Sequence, residues 1–194
     1  MKRSILPAGA WLTIMTLPAF AHPGHGSSDG FLSGFFHPFT GLDHLLAMVA
    51  VGVWAAMRGG AAMWVWPAAF VGAMAAGFAL AVHGVVLPFS EPMILASLIG
   101  LGLVIMLGIQ MPAAAGAAMI AVFGLFHGYA HGIEIIGLAL PFAAGFITAS
   151  ILLHGTGMTA TVLAREVRMT LPLRAAGGAI ALAGLVLPML EYLK

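Results

Sequence analysis

The stretch HPFTGLDHLLAM, residues 37–48, puts two histidines and an aspartate at the mouth of an otherwise apolar run. A second stretch, FHGYAHGIE at 126–134, places two more histidines and a glutamate at the end of another such run. If these runs lie in lipid, groups of this kind are expensive there, and by default they mark a substrate or ion pathway. The reading therefore turns on what solvent the rest of the chain requires.

That solvent is lipid. The chain has 194 residues, of which 62% are hydrophobic and 7% charged, against about 25% charged in a soluble domain. So little polar surface cannot cover a water-facing globule. The expectation is an all-α integral membrane protein: a cleavable signal peptide followed by a bundle of six transmembrane helices. Cysteine is absent, which excludes disulfides, thiolate metal sites and a cysteine nucleophile.

The first 21 residues read as a secretory signal peptide. Lys2 and Arg3 form a basic start, a proline-interrupted apolar run follows to Phe20, and Ala19-Phe20-Ala21 makes a small-residue cleavage site before His22. If the segment is retained, it is a seventh helix instead. Removing Lys2 and Arg3 from the seven basic residues leaves five against six acidic. That near-neutral balance implies no nucleic-acid or anionic-lipid partner.

Residues 22–36 (from HPGHGSSDG onward) read as a periplasmic leader, and residues 37–194 as the transmembrane domain. Six apolar runs are expected at about 37–57, 61–87, 92–110, 112–131, 137–163 and 174–193, each near the roughly 20 residues that span hydrocarbon. Turn chemistry separates them, most weakly at Met111-Pro112. Arg58 lies between the first and second runs, and Arg165, Arg168 and Arg174 between the fifth and sixth. The loops of opposite parity, 88–91 and 132–136, carry no Lys or Arg. The positive-inside rule makes the arginine side cytoplasmic, and cleavage after Ala21 independently makes the mature N-terminus periplasmic. The expected location is the bacterial inner membrane, with the bilayer as the chain's partner. The oligomeric state is open. The glycine-rich runs are expected to let helices pack closely.

This topology assigns depths. His37, Asp43 and His44 open the first span at its outer end; His83 ends the second, Glu91 begins the third, and His127, His131 and Glu134 close the fourth at that same level. His127, His131 and Glu134 stand at i, i+4 and i+7, one helical face. His37 and His44 are likewise seven apart, with Pro38 tolerated in a first turn. Asp43 is a ligand or an orienter of an imidazole. His83 reads equally as an interfacial residue, and Glu91 as an acid favoured by a helix N-terminus. Met48, one turn below His44, shares its face. Imidazoles with carboxylates and no thiolate suit Ni²⁺, Co²⁺, Zn²⁺ or Fe²⁺. The expected metal site is His37, Asp43, His44, His131 and Glu134, completed or gated by His127, Glu91 and His83. His22 and His25, followed by Asp29, are a candidate outer capture site, or a leader of no consequence. His154 lies past the midplane of the fifth span. It is either a pathway residue facing the same interior as His44 and His131, or a histidine hydrogen-bonded to a neighbour such as Thr156 or Thr159.

At these residues the chain resembles the HupE/UreJ family of hydrogenase and urease accessory proteins. The family's pattern His-Pro-x-x-Gly-x-Asp-His-x-Leu-Ala-Met is met by His37, Pro38, Gly41, Asp43, His44, the Leu45-Leu46 pair, Ala47 and Met48. Its pattern Phe-His-Gly-x-Ala-His-Gly-x-Glu is met by Phe126, His127, Gly128, Ala130, His131, Gly132 and Glu134, and its acid opening the third mature helix corresponds to Glu91. The resemblance covers the whole chain. It implies a nickel permease, in some members a cobalt permease, serving maturation of a urease or hydrogenase. Such a carrier or channel has nickel or cobalt as its cargo, no resident cofactor and no enzymatic activity. A non-transporting accessory factor for a membrane metalloenzyme is the alternative. An intramembrane di-iron enzyme would need more histidine boxes than the single His127-x-x-x-His131, and the zinc-protease pattern H-E-x-x-H is absent.

Overall fold

The computed structural model describes residues 27–193. The proposed signal peptide, His22 and His25 lie outside them. The described residues form seven helices and no strand: α1 Ser27–Thr40, α2 Leu42–Arg58, α3 Ala62–Val82, α4 Ser90–Leu107, α5 Ala113–Ile133, α6 Ala139–Glu166 and α7 Thr170–Tyr192. Five are long and apolar enough to cross a membrane, and a sixth span results if the bent pair α1–α2 counts as one.

The first expected span is where the structure departs from the sequence reading. Residues 37–57 are not one helix. The chain turns by 84° at Gly41, whose backbone is extended (φ −102, ψ 115). Pro38 therefore sits in the last turn of α1 rather than the first turn of a span, and His37 and His44 belong to different helices. The supposed leader is helical from Ser27 onward. The weakest expected break, by contrast, is well made. Gly108 adopts the left-handed region (φ 66), the Ile109 N–H bonds back to Val104 O, and the Gly108 N–H bonds to Ile105 O. This glycine closure satisfies the last carbonyls of α4, and Pro112 then starts α5.

In the bundle α3 packs against α5, α4 against α7, and α6 against both α1 and α2. Glycines set the approach. A methyl group at Gly52 would collide with the backbone of His154, and one at Gly128 with the backbone of Met74, so α2–α6 and α3–α5 touch main chain to main chain. Burial is inverted relative to a water-soluble protein. His127, His131, His154, Ser97, Ser150 and Thr161 are buried, while Leu140, Val86, Leu171 and Trp64 are among the most exposed side chains. That pattern fits a multi-pass membrane protein whose apolar surface faces lipid and whose polar groups face inward.

The two ends of the bundle differ. At one end stand Arg58, Arg165, Arg168 and Arg174. There Arg165 donates to Ala56 O (3.0 Å), Arg58 to Met111 O (3.0 Å), Trp54 to Ile109 O (3.1 Å) and Trp66 to Ala113 O (2.8 Å). The opposite end carries the histidines.

Candidate metal centre

Four histidines from three helices meet at the histidine end. The His131 ring lies 4.7 Å from that of His44 and 5.0 Å from that of His37, and His44 lies 4.8 Å from His127. The α5 register places His127 and His131 one turn apart on the face turned toward α2. The sharp turn at Gly41 folds His37 back over the opening of α2, 6.4 Å from His44. A straight helix would have set these two rings about two turns apart. The bend brings them closer, and it is a feature that sequence spacing misses. Phe142 and Phe146 of α6 and Phe78 of α3 pack around the group, with Phe146 stacked on His131 at 4.7 Å.

Hydrogen bonds determine which ring atoms are free. Asp43 Oδ1 accepts both the backbone N–H of His44 (2.8 Å) and its ring Nδ1–H (2.9 Å). In the neutral ring this leaves the lone pair on Nε2, which is buried and has no partner. The Ser97 hydroxyl gives its one proton to Ile94 O at 2.6 Å. Its oxygen therefore accepts from His127 Nε2 at 3.0 Å, and the free lone pair of His127 falls on Nδ1, again buried and unpartnered. Neither nitrogen of His131 has a partner. His37 Nε2 donates to Glu134 Oε2 at 2.9 Å. That bond holds the Glu134 carboxyl below its ordinary range, against the burial that raises it.

Buried polar groups in proteins are nearly always satisfied, and each exception calls for an explanation such as an ion. Leaving one unsatisfied costs about 1–3 kcal/mol. Here the exceptions are four nitrogens on three adjoining rings: His44 Nε2, His127 Nδ1 and both of His131. Orienting partners on the opposite ring atoms, Asp43 and Ser97, are the usual support of a metal-ligating imidazole.

The sequence-predicted set is brought together only in part. Among the described residues no three histidine or carboxylate groups surround one point at ligand distance. The common ion position expected for Asp43, His44, His131 and Glu134 is therefore not formed. The reason is in the pairings just described: Asp43 is held by His44 and Glu134 by His37. His83 is exposed at the end of α3 and Glu91 is exposed in the first turn of α4. Neither is hydrogen-bonded to the cluster among the described residues. His154 is buried, with both ring nitrogens unpartnered. Thr156 bonds its own helix at Leu152 O and Thr159 is exposed, so the hydrogen-bonded alternative for His154 is not what forms. Its ring instead lies 5.2 Å from Phe70, which is 5.5 Å from His127. Sequence reasoning missed Ser97, although a hydroxyl in the apolar run of α4 was the visible cue.

The family model described as HupE / UreJ protein matches residues 10–187. The chain belongs to the HupE/UreJ family of hydrogenase and urease accessory proteins. It is 42% identical over 179 residues to Protein HupE of Rhizobium leguminosarum bv. viciae, covering 91% of this chain and 94% of that protein. No solved structure matches. This family is not a known class of catalytic enzyme.

Proposed function

We propose that the chain carries a divalent transition-metal ion, nickel before cobalt, across the bacterial inner membrane for maturation of a urease or hydrogenase. The histidine end faces the periplasm and the arginine end the cytoplasm, in keeping with the positive-inside rule. The observation that carries this reading is the set of unpartnered nitrogens on His44, His127 and His131 inside a lipid-facing bundle. A neutral imidazole lone pair without a proton donor is a ligand for borderline divalent ions.

The residues would act in order. Exposed Glu134 draws the cation toward the opening, and His37, hydrogen-bonded to it, turns from the carboxylate to the ion. His44 and His131 take the ion from water, with Asp43 fixing the His44 ring and adding negative charge. His127, backed by Ser97, receives it one turn further in. Rotation of His37 and His131 completes the coordination, so capture and release use several partial sites rather than one closed cage, as conduction requires.

Uptake of radioactive nickel by cells carrying the gene tests this. Uptake above vector controls, lost in His44→Ala and His131→Ala at matched expression and competed by excess cobalt, is the expected result. Metal binding by the purified protein with no uptake by cells would instead indicate the non-transporting accessory role.

A further inference from the structure

Below the histidine cluster, α2, α3 and α6 present their side chains in one-turn layers. His44, Phe78 and Phe146 make the outer layer; Met48, Met74 and Ser150 make the next; Gly52, Phe70 and His154 lie one turn deeper. Contacts tie the layers together. Phe78 and Phe146 stand 5.1 Å apart, Gly52 abuts the His154 backbone, and Phe70 meets His154.

The middle layer is chemically odd. Ser150 Oγ lies 3.2 Å from Met48 Sδ and 3.7 Å from Met74 Sδ, and all three residues are fully buried. The hydroxyl has one proton, and Phe146 O, at 2.7 Å, is much the better acceptor. Two thioethers and a hydroxyl oxygen thus turn lone pairs toward one another with no proton left to share. One turn below, His154 adds one ring lone pair and one N–H, both without a partner. A buried group in which two thioethers, a hydroxyl oxygen and an imidazole all have lone pairs to spare is what a cation would satisfy.

We propose that Met48, Met74, Ser150 and His154 form an inner, uncharged metal site through which the ion passes after the histidine cluster. This rests on the transport reading, and adds that the donors change from imidazole and carboxylate to thioether, hydroxyl and imidazole. Thioethers are soft ligands and bear no charge. Such a site holds a borderline divalent ion weakly, which suits release rather than capture, and it holds a soft monovalent ion tightly.

Silver(I), a soft ion that undergoes no redox change here, is the probe. It is titrated into the purified full chain while the carbon-labelled methyl resonances of its methionines are followed. Met48→Leu and Met74→Leu assign two of these resonances, and Leu for Met is a swap cores usually tolerate. The expected result is that the Met48 and Met74 signals move together, before those of the exposed Met169 and Met189. In His154→Ala they should move only at silver concentrations about tenfold or more higher, the loss typical of disturbing a metal site. Shifts in no particular order, or shifts unchanged in His154→Ala, overturn the site. In cells, the Met48→Leu/Met74→Leu double variant should lower nickel uptake by about tenfold on the same scale, while nickel binding to the purified protein stays within about twofold. Full uptake by that variant overturns the transit role. If the unmodified protein takes up no nickel, the transport reading fails by itself, and the silver titration still decides whether the site exists.

Discussion

His131, at the histidine end, buries two ring nitrogens without a partner, whereas Trp54 and Trp66, equally buried near the arginine end, each donate to a backbone carbonyl. The tryptophan rings also pack on each other at 4.2 Å, and the carbonyls they reach, with the one held by Arg58, all lie in residues 109–113. A buried polar group with its partner in place is part of the fold. One without a partner is a cost that folding does not explain. The arginine end is a closed, satisfied layer, and the histidine end is an unsatisfied one supported from behind by Asp43 and Ser97. Stability should therefore be concentrated at one end and ligand chemistry at the other.

The largest effect expected from this division is at the histidine end. The His44→Ala/His131→Ala double variant should lose nickel binding altogether by calorimetry, while its thermal unfolding falls less than that of Trp66→Ala, because the two rings make only one hydrogen bond between them, from His44 Nδ1 to the part-exposed Asp43. A large loss of stability with binding retained would reverse the assignment of the two ends.

Trp66→Ala is the mirror experiment. It removes a fully buried ring and a hydrogen bond at Ala113 O, and should cost about 3–5 kcal/mol of stability with nickel affinity unchanged in the protein that remains folded. Unfolding in denaturant followed by circular dichroism measures the first, and calorimetry the second.

Asp43→Asn should have an intermediate effect. The amide still accepts from the His44 ring but no longer supplies charge, so nickel affinity should fall about 10–100-fold. An unchanged affinity would make Asp43 a helix-start residue only.

How much of this was legible beforehand depends on what fixed each feature. His127 and His131 on one face of α5 followed from an i, i+4 spacing that a regular helix preserves. His37 and His44 were read from a spacing of seven, which presumed a straight helix. Their true proximity comes from the turn at Gly41, and nothing in Phe39-Thr40-Gly41-Leu42 distinguishes a bend from a permitted glycine in a span. Helix α1 was hidden for a related reason: its serines, glycines and Pro38 are poor helix formers, and packing against α6 outweighs that preference. The site's carboxylates were found by type but not by partner. Sequence placed Glu134 in one site with His37, Asp43, His44 and His131, and the fold pairs it with His37 alone among them.

The His37–Glu134 pair should contribute least, and its contribution should depend on pH. The Glu134 carboxyl is lowered from its ordinary value of 4.5 by the His37 hydrogen bond. A depressed folded value stabilises the protein above the unfolded value and ceases to do so as pH falls through the folded one. Unfolding temperatures of the parent and Glu134→Gln should therefore differ slightly near neutral pH and converge as pH falls below the ordinary carboxylate range. A gap that widens in acid would show that the pair is not as drawn.

X-ray absorption at the nickel edge, on the purified full chain loaded with one equivalent of nickel, reports directly on whether the histidine cluster ligates the ion. Imidazole scattering is expected, with nitrogen or oxygen neighbours at roughly 2 Å, as is usual for imidazole and carboxylate ligands of a first-row metal, diminished in His44→Ala/His131→Ala. A shell of water oxygens alone, identical in parent and variant, would contradict it.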